Sequence, residues 1–241
     1  MIFVFQWIRF TLLIILIPII SQGKIVVVNG LTHTFNLAGE DQSKGVIQLK
    51  NIGNESKSVL IYQTDYSFNY KGETRYGEPG SLDRSNAGWL NITPVSVTLE
   101  PKEEKQVNFS IEVPGDVELI GTYWSAIMVE PSDLLDEGQN RNGVRIRTVF
   151  RYAIQVITNI NGTGKPDLDF IDVNLRNSGE ESHLDIDVIN KGNGFINAIM
   201  NVEIFDQQGS SIGVFSSKRL RTLPSTSKRY RVDIPKLERG T

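Results

Sequence analysis

One stretch of the chain alternates in polarity over an unusual length, at residues 144–157 with the sequence VRIRTVFRYAIQVI. Its even positions are mostly apolar, and its odd positions include Arg145, Arg147 and Arg151. A period of two places alternate side chains on opposite faces of a β-strand. Such a strand would span roughly 45 Å, against about 17–20 Å for an ordinary strand. The pattern predicts a strand that closes one domain and offers an alternating edge to another chain, although an ordinary closing strand fits it too.

The N-terminus has the features of a signal peptide over residues 1–23. Arg9 is its one charged residue, and residues 10–20 form an apolar segment that is too short to span a bilayer alone. Ser21 and Gly23 supply the small residues that precede a cleavage site. The sequence therefore predicts an exported protein, periplasmic or at the cell surface. An uncleaved leader, which would associate the protein with the membrane, is the alternative.

Composition narrows the class of protein further. The 241 residues are 39% hydrophobic and 22% charged, which is typical of one or two globular domains. The formal net charge of -3 does not favour a nucleic-acid partner. The absence of cysteine excludes disulfides, thiolate nucleophiles and cysteine zinc sites, so the hydrophobic core must supply the stability of an exported protein.

Short runs rich in Val, Ile, Thr, Phe and Tyr are separated by turn residues along most of the chain. This spacing in an exported protein predicts an all-β fold of two immunoglobulin-like, antiparallel β-sandwiches. The predicted strands cover residues 25–28, 33–37, 45–51, 58–67, 90–92, 96–99, 105–113, 121–130 and 144–157, and then 168–176, 183–190, 198–206, 211–215 and 229–234.

A linker divides the two predicted sandwiches. Gly and Pro punctuate residues 159–166 without apolar periodicity, which is typical of a connection between domains. The sequence therefore predicts a first sandwich over residues 24–158 and a second over residues 167–241.

The second half repeats the order of motifs in the first. Asn51-x-Gly53 recurs as Asn190-x-Gly192, and Gly121-Thr122 recurs as Gly240-Thr241. In the first half this last pair leads into the strong strand YWSAIMVE, whose counterpart is missing from the second half. The repeat predicts a second sandwich without its last strand or strands. Either a truncated reading frame or an incomplete sandwich that a partner's strand completes would explain this.

Three segments in a fixed order resemble a known family. They are KGVIQLKNIGNESKSVLIYQTDYSF, WLNITPVSVTLEPKEEKQVNFSIEVP and GTYWSAIMVEP. The asparagines of the first turn, the step from Pro94 to Pro101, the Tyr123-Trp124 strand and the long alternating strand together resemble the periplasmic pilus-chaperone family, with its PapD-like immunoglobulin fold. The resemblance covers roughly residues 24–157, with a weaker echo in the second half.

The resemblance implies a function and a set of site residues. In that family the long strand G is donated to a pilin that lacks its own last strand, and two basic residues bind the client's C-terminal carboxylate. Arg151 matches one of these bases, whereas residues 24–37 contain no arginine and Lys24 is the only base there, as in a divergent member. The client-binding positions of strand G are matched by Val144, Ile146, Phe150, Tyr152 and Ile154.

The implied protein is a non-enzymatic chaperone or assembly protein whose partner is an exported β-rich or pilin-like subunit, with no cofactor, nucleotide or nucleic acid. The residues themselves do not favour an enzyme, because His33 and His183 fall in different predicted domains and no Gly-x-Ser-x-Gly elbow occurs. A structural or adhesive surface subunit is the alternative. A carbohydrate-binding module using Trp89 or Trp124 is a third possibility, although tryptophan in a sandwich is typical of the core.

Acidic residues alternate on two predicted strands of the second half. A calcium ion bridging carboxylates on one strand face, or simply a solvated face, fits this pattern. The residues concerned are Asp167, Asp169, Asp172, Asp185 and Asp187.

Overall fold

The computed structural model describes residues 25–115, 118–132, 150–178 and 181–236. These residues form strands, turns and one 3₁₀-helix (Ala87–Trp89), without an α-helix among them, which confirms the predicted all-β class. No helix in these four ranges is both long and apolar enough to cross a bilayer. The predicted signal peptide, Lys24, Val144 and Ile146, and residues 237–241 lie outside the described residues.

The first domain is a sandwich of two sheets. One sheet has four strands in the order β1 (Ile25–Val27), β3 (Gln42–Asn51), β8 (Glu104–Glu112) and β6 (Leu90–Thr93). The other has the order β2 (Thr32–Leu37), β10 (Tyr152–Ile160), β9 (Thr122–Pro131), β4 (Lys57–Phe68) and β5 (Thr74–Gly77), and β7 (Ser96–Leu99) also pairs with β4.

Alternating apolar residues of both sheets fill the space between them. Ile47 and Leu49 on β3 pack with Val107 on β8, and Ile127 and Ile154 join them from the opposite sheet, all five fully buried. Each such aliphatic side chain contributes about 1.5–3 kcal/mol by leaving water. The period of two in the sequence thus becomes an inward and an outward face on these strands. On β4, β9 and β10 the outward face is also partly apolar, because Tyr66, Trp124 and Ile157 form a second buried cluster there.

The first two strands tie the sheets of the first domain together. β1 pairs antiparallel with β3 in one sheet, whereas β2 pairs parallel with β10 in the other. Gly30, with a φ of 93°, lies in the connection, where a left-handed backbone favours glycine.

The second domain is built from smaller sheets. Its strands are β11 (Leu168–Ser178), β12 (Glu181–Asn190), β13 (Ile196–Ala198), β14 (Asn201–Phe205), β15 (Ser211–Ser216), β16 (Leu220–Thr222) and β17 (Ser227–Ile234). They form a three-stranded sheet in the order β11-β12-β17 and the pairs β13-β16 and β14-β15. A core that includes Ile186, Val188, Tyr230 and Val232 lies between them. The strand predicted over 198–206 is divided into β13 and β14, and β16 had no predicted counterpart.

Two buried asparagines explain the repeat in the sequence. The amide of Asn51 donates to the carbonyls of Glu55 and Leu99, while its oxygen accepts from the Gly53 amide. Asn190 makes the same set of bonds, to the carbonyls of Gly194 and Thr222 and from the Gly192 amide. Each asparagine therefore closes the same turn at the same place in its sandwich, because a buried amide must satisfy its hydrogen bonds.

Part of the framework of the first domain recurs among the described residues of the second. Its described strands include counterparts of β3, β7 and β8, and no described strand corresponds to β9 or β10. As a result β11, at the edge of its sheet, exposes Phe170, Val173 and Leu175 to 63%, 52% and 47%.

Candidate functional site

β10 is shorter at its start than the strand predicted over 144–157. It begins at Tyr152 and runs on to Ile160, two residues into the segment expected to be a linker. Phe150 and Arg151 precede it, outside any strand. The alternation expected from the sequence holds along β10, since Ile154 and Val156 are buried and Tyr152 packs against the same core.

The first three residues of β10 form an edge. β9 pairs with β10 from Tyr152 to Asn159, whereas β2 pairs with it only from Gln155 onward. On the β2 side, the backbone hydrogen bond nearest to the start of β10 runs from the Gln155 amide to the Leu31 carbonyl, at 2.9 Å. Residues 152–154, called the free edge of β10 below, therefore have a strand on only one side among the described residues.

The client-binding residues predicted from the sequence differ in their surroundings. Ile154 is fully buried in the core of the first domain, and Tyr152 is partly buried against it. Phe150 is 55% exposed. Val144 and Ile146 lie outside the described residues. The inward face of β10 is thus occupied by its own core, and the accessible feature of the strand is its backbone edge.

Of the two predicted carboxylate anchors, Arg151 lies among the described residues. The Arg151 guanidinium lies 2.8 Å from one carboxylate oxygen of Glu130, and the Tyr62 hydroxyl donates to the other at 2.7 Å. Burial raises the pKa of Tyr62, and its hydrogen bond to Glu130 raises it further. Arg151 is half-exposed and lies just before the free edge, whereas Lys24 lies outside the described range.

A cleft of about 320 Å³ lies between the two domains and borders β10. Its walls come from four strands of the first domain and two strands and a turn of the second. We call it the inter-domain cleft, and it is lined by Tyr66, Phe68, Thr74, Tyr76, Ala126, Ala153, Gln155, Leu220, Arg221, Leu223 and Lys228.

The two cations of the inter-domain cleft come from the second domain. The Lys228 ammonium lies 4.0 Å from the ring centroid of Phe68, and burial lowers the pKa of this lysine. The Arg221 guanidinium lies 5.4 Å from the ring centroid of Phe195, and its buried Nε has no hydrogen-bond partner among the described residues. Neither side chain forms an ion pair with a described carboxylate, so both keep unsatisfied capacity for an anion.

A buried hydroxyl adds to this capacity. Tyr66 is 4% exposed, and its hydroxyl has no hydrogen-bond partner within the described parts of the chain. Burial raises the pKa of Tyr66, and the positive charge of Arg221 opposes that rise, which indicates that the two groups are close. A carboxylate in the cleft would accept bonds from these donors, and charge-assisted bonds of this kind are the strong ones.

The remaining predicted sites have structural roles. Trp124 is buried and donates to the Tyr66 carbonyl at 2.9 Å, and Trp89 packs 4.9 Å from Tyr123 against the core. His33 packs edge-on to Phe109, far along the chain from His183. The tryptophans therefore stabilise the sandwich.

Three of the five predicted acidic residues in the second domain are paired with cations. Asp187 receives two bonds of 2.6 Å from Arg229, and Asp185 pairs with Arg231 at 3.0 Å. Asp169 pairs with Lys191. Across the described part of the chain, no group of three His, Cys, Asp or Glu residues has an arrangement that would hold a metal ion.

Comparison with known proteins returned solved structures only. No family model matches the chain, and no curated protein matches it. A chaperone–tip adhesin complex of CFA/I fimbriae is 12% identical, with 85% of this chain and 87% of that one covered and a TM-score of 0.48. The Escherichia coli chaperone DraB is 13% identical, with 90% and 86% covered and a TM-score of 0.46.

A third structure is the CsuC–CsuE chaperone–tip adhesion subunit complex of Acinetobacter baumannii, at 13% identity with 87% and 89% covered and a TM-score of 0.44. Structures of pilus chaperones are thus among those similar to this chain, as the resemblance in the sequence led us to expect. At these identities and scores the likeness says nothing more of this chain, and its function has to be argued from its own geometry.

Proposed function

We propose that this protein is a non-enzymatic, exported chaperone-like or assembly protein that binds an extended segment of a β-rich client, such as a pilin-like subunit in the periplasm. The observation that carries the proposal is the free edge of β10. Backbone groups on the outer side of residues 152–154 have no described strand beside them. An extended segment satisfies such groups by strand addition, which gives affinity through main-chain hydrogen bonds.

The inter-domain cleft supports the same proposal. Ala153 and Gln155 of β10 line it, so a segment added at the free edge would run past Lys228 and Arg221. A carboxylate of that segment would relieve the unsatisfied donors of the cleft. Arg151 lies just before the free edge. If its ion pair with Glu130 opens, Arg151 is placed to bind a second acidic group of the client.

Affinity purification of the protein from its own cell envelope, with mass spectrometry of what co-elutes, tests the proposal. We expect an exported β-rich protein in stoichiometric amount with the wild type, and at least about tenfold less with Phe150→Asp, because the new charge would stand beside the added strand. Val95→Asp is the matched control, since Val95 is 62% exposed in the first domain away from β10. A folded protein that elutes alone would contradict the proposal.

The cleft is tested with a peptide from the captured client, prepared with a free C-terminal carboxylate and as its amide. The wild type should bind the free acid at least about tenfold more tightly. Arg221→Gln with Lys228→Gln should abolish that preference, whereas Lys218→Gln, an exposed lysine outside the cleft, should keep it. Equal preference in the double variant and the wild type would exclude the cleft as the anchor.

A structural or adhesive surface subunit is the second candidate. The exposed apolar side chains of β11 favour it, because a neighbouring subunit could complete the second domain there. Ladders or fibres formed by the purified protein alone would favour this candidate over the chaperone-like function.

A further inference from the structure

The strand β11 is an unpaired edge with two chemically different faces. It pairs with β12 on one side, and no described strand lies on its other side. Val173 and Leu175 stand opposite the core residues Ile186 and Leu184, so they belong to the inner face of the sheet. Residues directly opposite on neighbouring strands share a face. They are nevertheless about half-exposed, because no described strand covers this end of the core.

The outer face of the same strand carries charges. Asp172 stands opposite Asp187, and Arg176 stands opposite His183. Asp187 is already satisfied by Arg229, which stands opposite it on β17. Asp172 therefore has a like charge on its one neighbouring strand, and its carboxylate accepts bonds only within β11, from the Val173 amide and the Asn174 side chain. Like charges directly opposite each other are unfavourable in a sheet.

We propose that β11 pairs antiparallel with β11 of a second copy of this chain, with the two-fold axis at Asn174. This register puts Asp172 opposite the partner's Arg176 and Arg176 opposite the partner's Asp172, so that two opposite-charge pairs form on the outer face. On the inner face, Val173 comes opposite the partner's Leu175. The spacing of the two charges about Asn174 thus makes the strand complementary to itself, as a two-fold interface requires.

The pairing removes several costs at once. The edge of β11 gains backbone hydrogen bonds, and its half-exposed inner-face residues are covered by the inner-face residues of the second copy. Asp172 gains the cation that its own sheet does not supply. The result is one continuous six-stranded sheet across the two second domains. This interface lies on the second domain and leaves the free edge of β10 open, so the two sites are independent.

Sedimentation equilibrium of the protein, purified after expression of the full chain, tests the charge register. We expect dimerisation that depends on concentration and weakens with salt, because the ion pairs are exposed. Asp172→Arg or Arg176→Asp alone should lower the association constant by about tenfold or more, and the two together should restore it. Asp233→Arg, on the opposite edge strand of the same sheet, is the control.

Disulfide trapping tests the axis, because the chain has no cysteine of its own. Asn174→Cys should form a disulfide-linked dimer on mild oxidation, since directly opposite Cα atoms lie about 4.5–5.5 Å apart. Asp172→Cys should not, because the two copies of that position would be roughly 13 Å apart. A monomer at all concentrations, a dimer that survives either single charge reversal, or equal trapping of both cysteines would overturn the proposal.

Discussion

Lys228 is the residue at which burial and charge conflict most directly. It lies against the Phe68 ring without a described carboxylate, and burial lowers its pKa from the ordinary value of 10.5. Between its lowered pKa and 10.5, the folded protein binds fewer protons than the unfolded chain, so the stability of the protein rises with pH in that window. At neutral pH the charged lysine is a cost that a bound carboxylate would relieve.

Replacing this lysine gives a pH-dependent prediction. Lys228→Met should raise the free energy of unfolding at neutral pH, and the gain should shrink as the pH rises toward 10.5, where the wild-type side chain loses its charge in both states. Urea denaturation at several pH values measures the difference. Lys44→Met, at an exposed lysine of β3, is the control and should show no such trend. A gain that grows with pH would contradict the assignment of a burial cost.

The sequence predicted residue types in the core better than residues in the cleft. The alternation of β10 correctly indicates that Ile154 and Val156 share a face, because strand periodicity is a local property. It does not indicate that this face is filled by the first domain's own core. Arg221 and Lys228 carried no signal at all, because the cleft forms only when β16 and β17 meet Tyr66 on β4.

At the scale of single elements, β3 and β8 depend on one close cross-strand fit. Gly45 stands opposite Phe109, and a Cβ at Gly45 would overlap the Phe109 ring. The ring is 2% exposed and packs edge-on to His33 and Phe35, at centroid distances of 5.1 and 6.1 Å. The glycine therefore makes room for the aromatic side chain that fills this end of the core.

Gly45→Ala should destabilise the first domain by about 1–3 kcal/mol, since the added Cβ would force the buried Phe109 ring to shift. Denaturant unfolding measures this. Gly88→Ala is the matched control, because a Cβ there meets nothing within 4 Å, and its effect should stay within about 0.5 kcal/mol. Equal effects of the two substitutions would show that the Phe109 ring adapts.

Element boundaries were predictable where turn residues are dense, and less so elsewhere. The bounds predicted over 45–51 differ from β3 by at most three residues, and those over 105–113 differ from β8 by one. β5 and β16 were missed, because each is short and lies in a mostly polar stretch of sequence without alternating apolar residues. Strand pairing depends on contacts distant in sequence, so the parallel pairing of β2 with β10 had no local signal.

At the scale of the whole molecule, a backbone contact sets how the two domains meet. The Thr122 amide donates to the Asn193 carbonyl at 2.8 Å, and Phe195 donates to the Thr122 hydroxyl at 2.9 Å. Gly121, with a φ of 79°, allows this approach, and a Cβ there would overlap the Asn193 carbonyl. This contact joins the domains directly, beside others such as the bond of 3.0 Å from the Tyr70 amide to the Ser227 hydroxyl.

Gly121→Ala should separate the domains without unfolding either, because the overlap with Asn193 adds to the strain of a left-handed backbone. Small-angle scattering should show a larger radius of gyration, and client capture should fall. Gly162→Ala is the control, since its φ is 69° but a Cβ there meets nothing within 4 Å. An unchanged radius of gyration in Gly121→Ala would contradict this role of the contact.

The parallel pairing of β2 with β10 has a mechanical consequence. The chain enters β2 at the N-terminal end of that strand and leaves β10 at the C-terminal end. The two strands run in the same direction over six residue pairs. A pull between the start of β2 and the end of β10 would therefore load those hydrogen bonds together in shear, instead of opening them one after another. This pair of strands is arranged to resist tension along the chain.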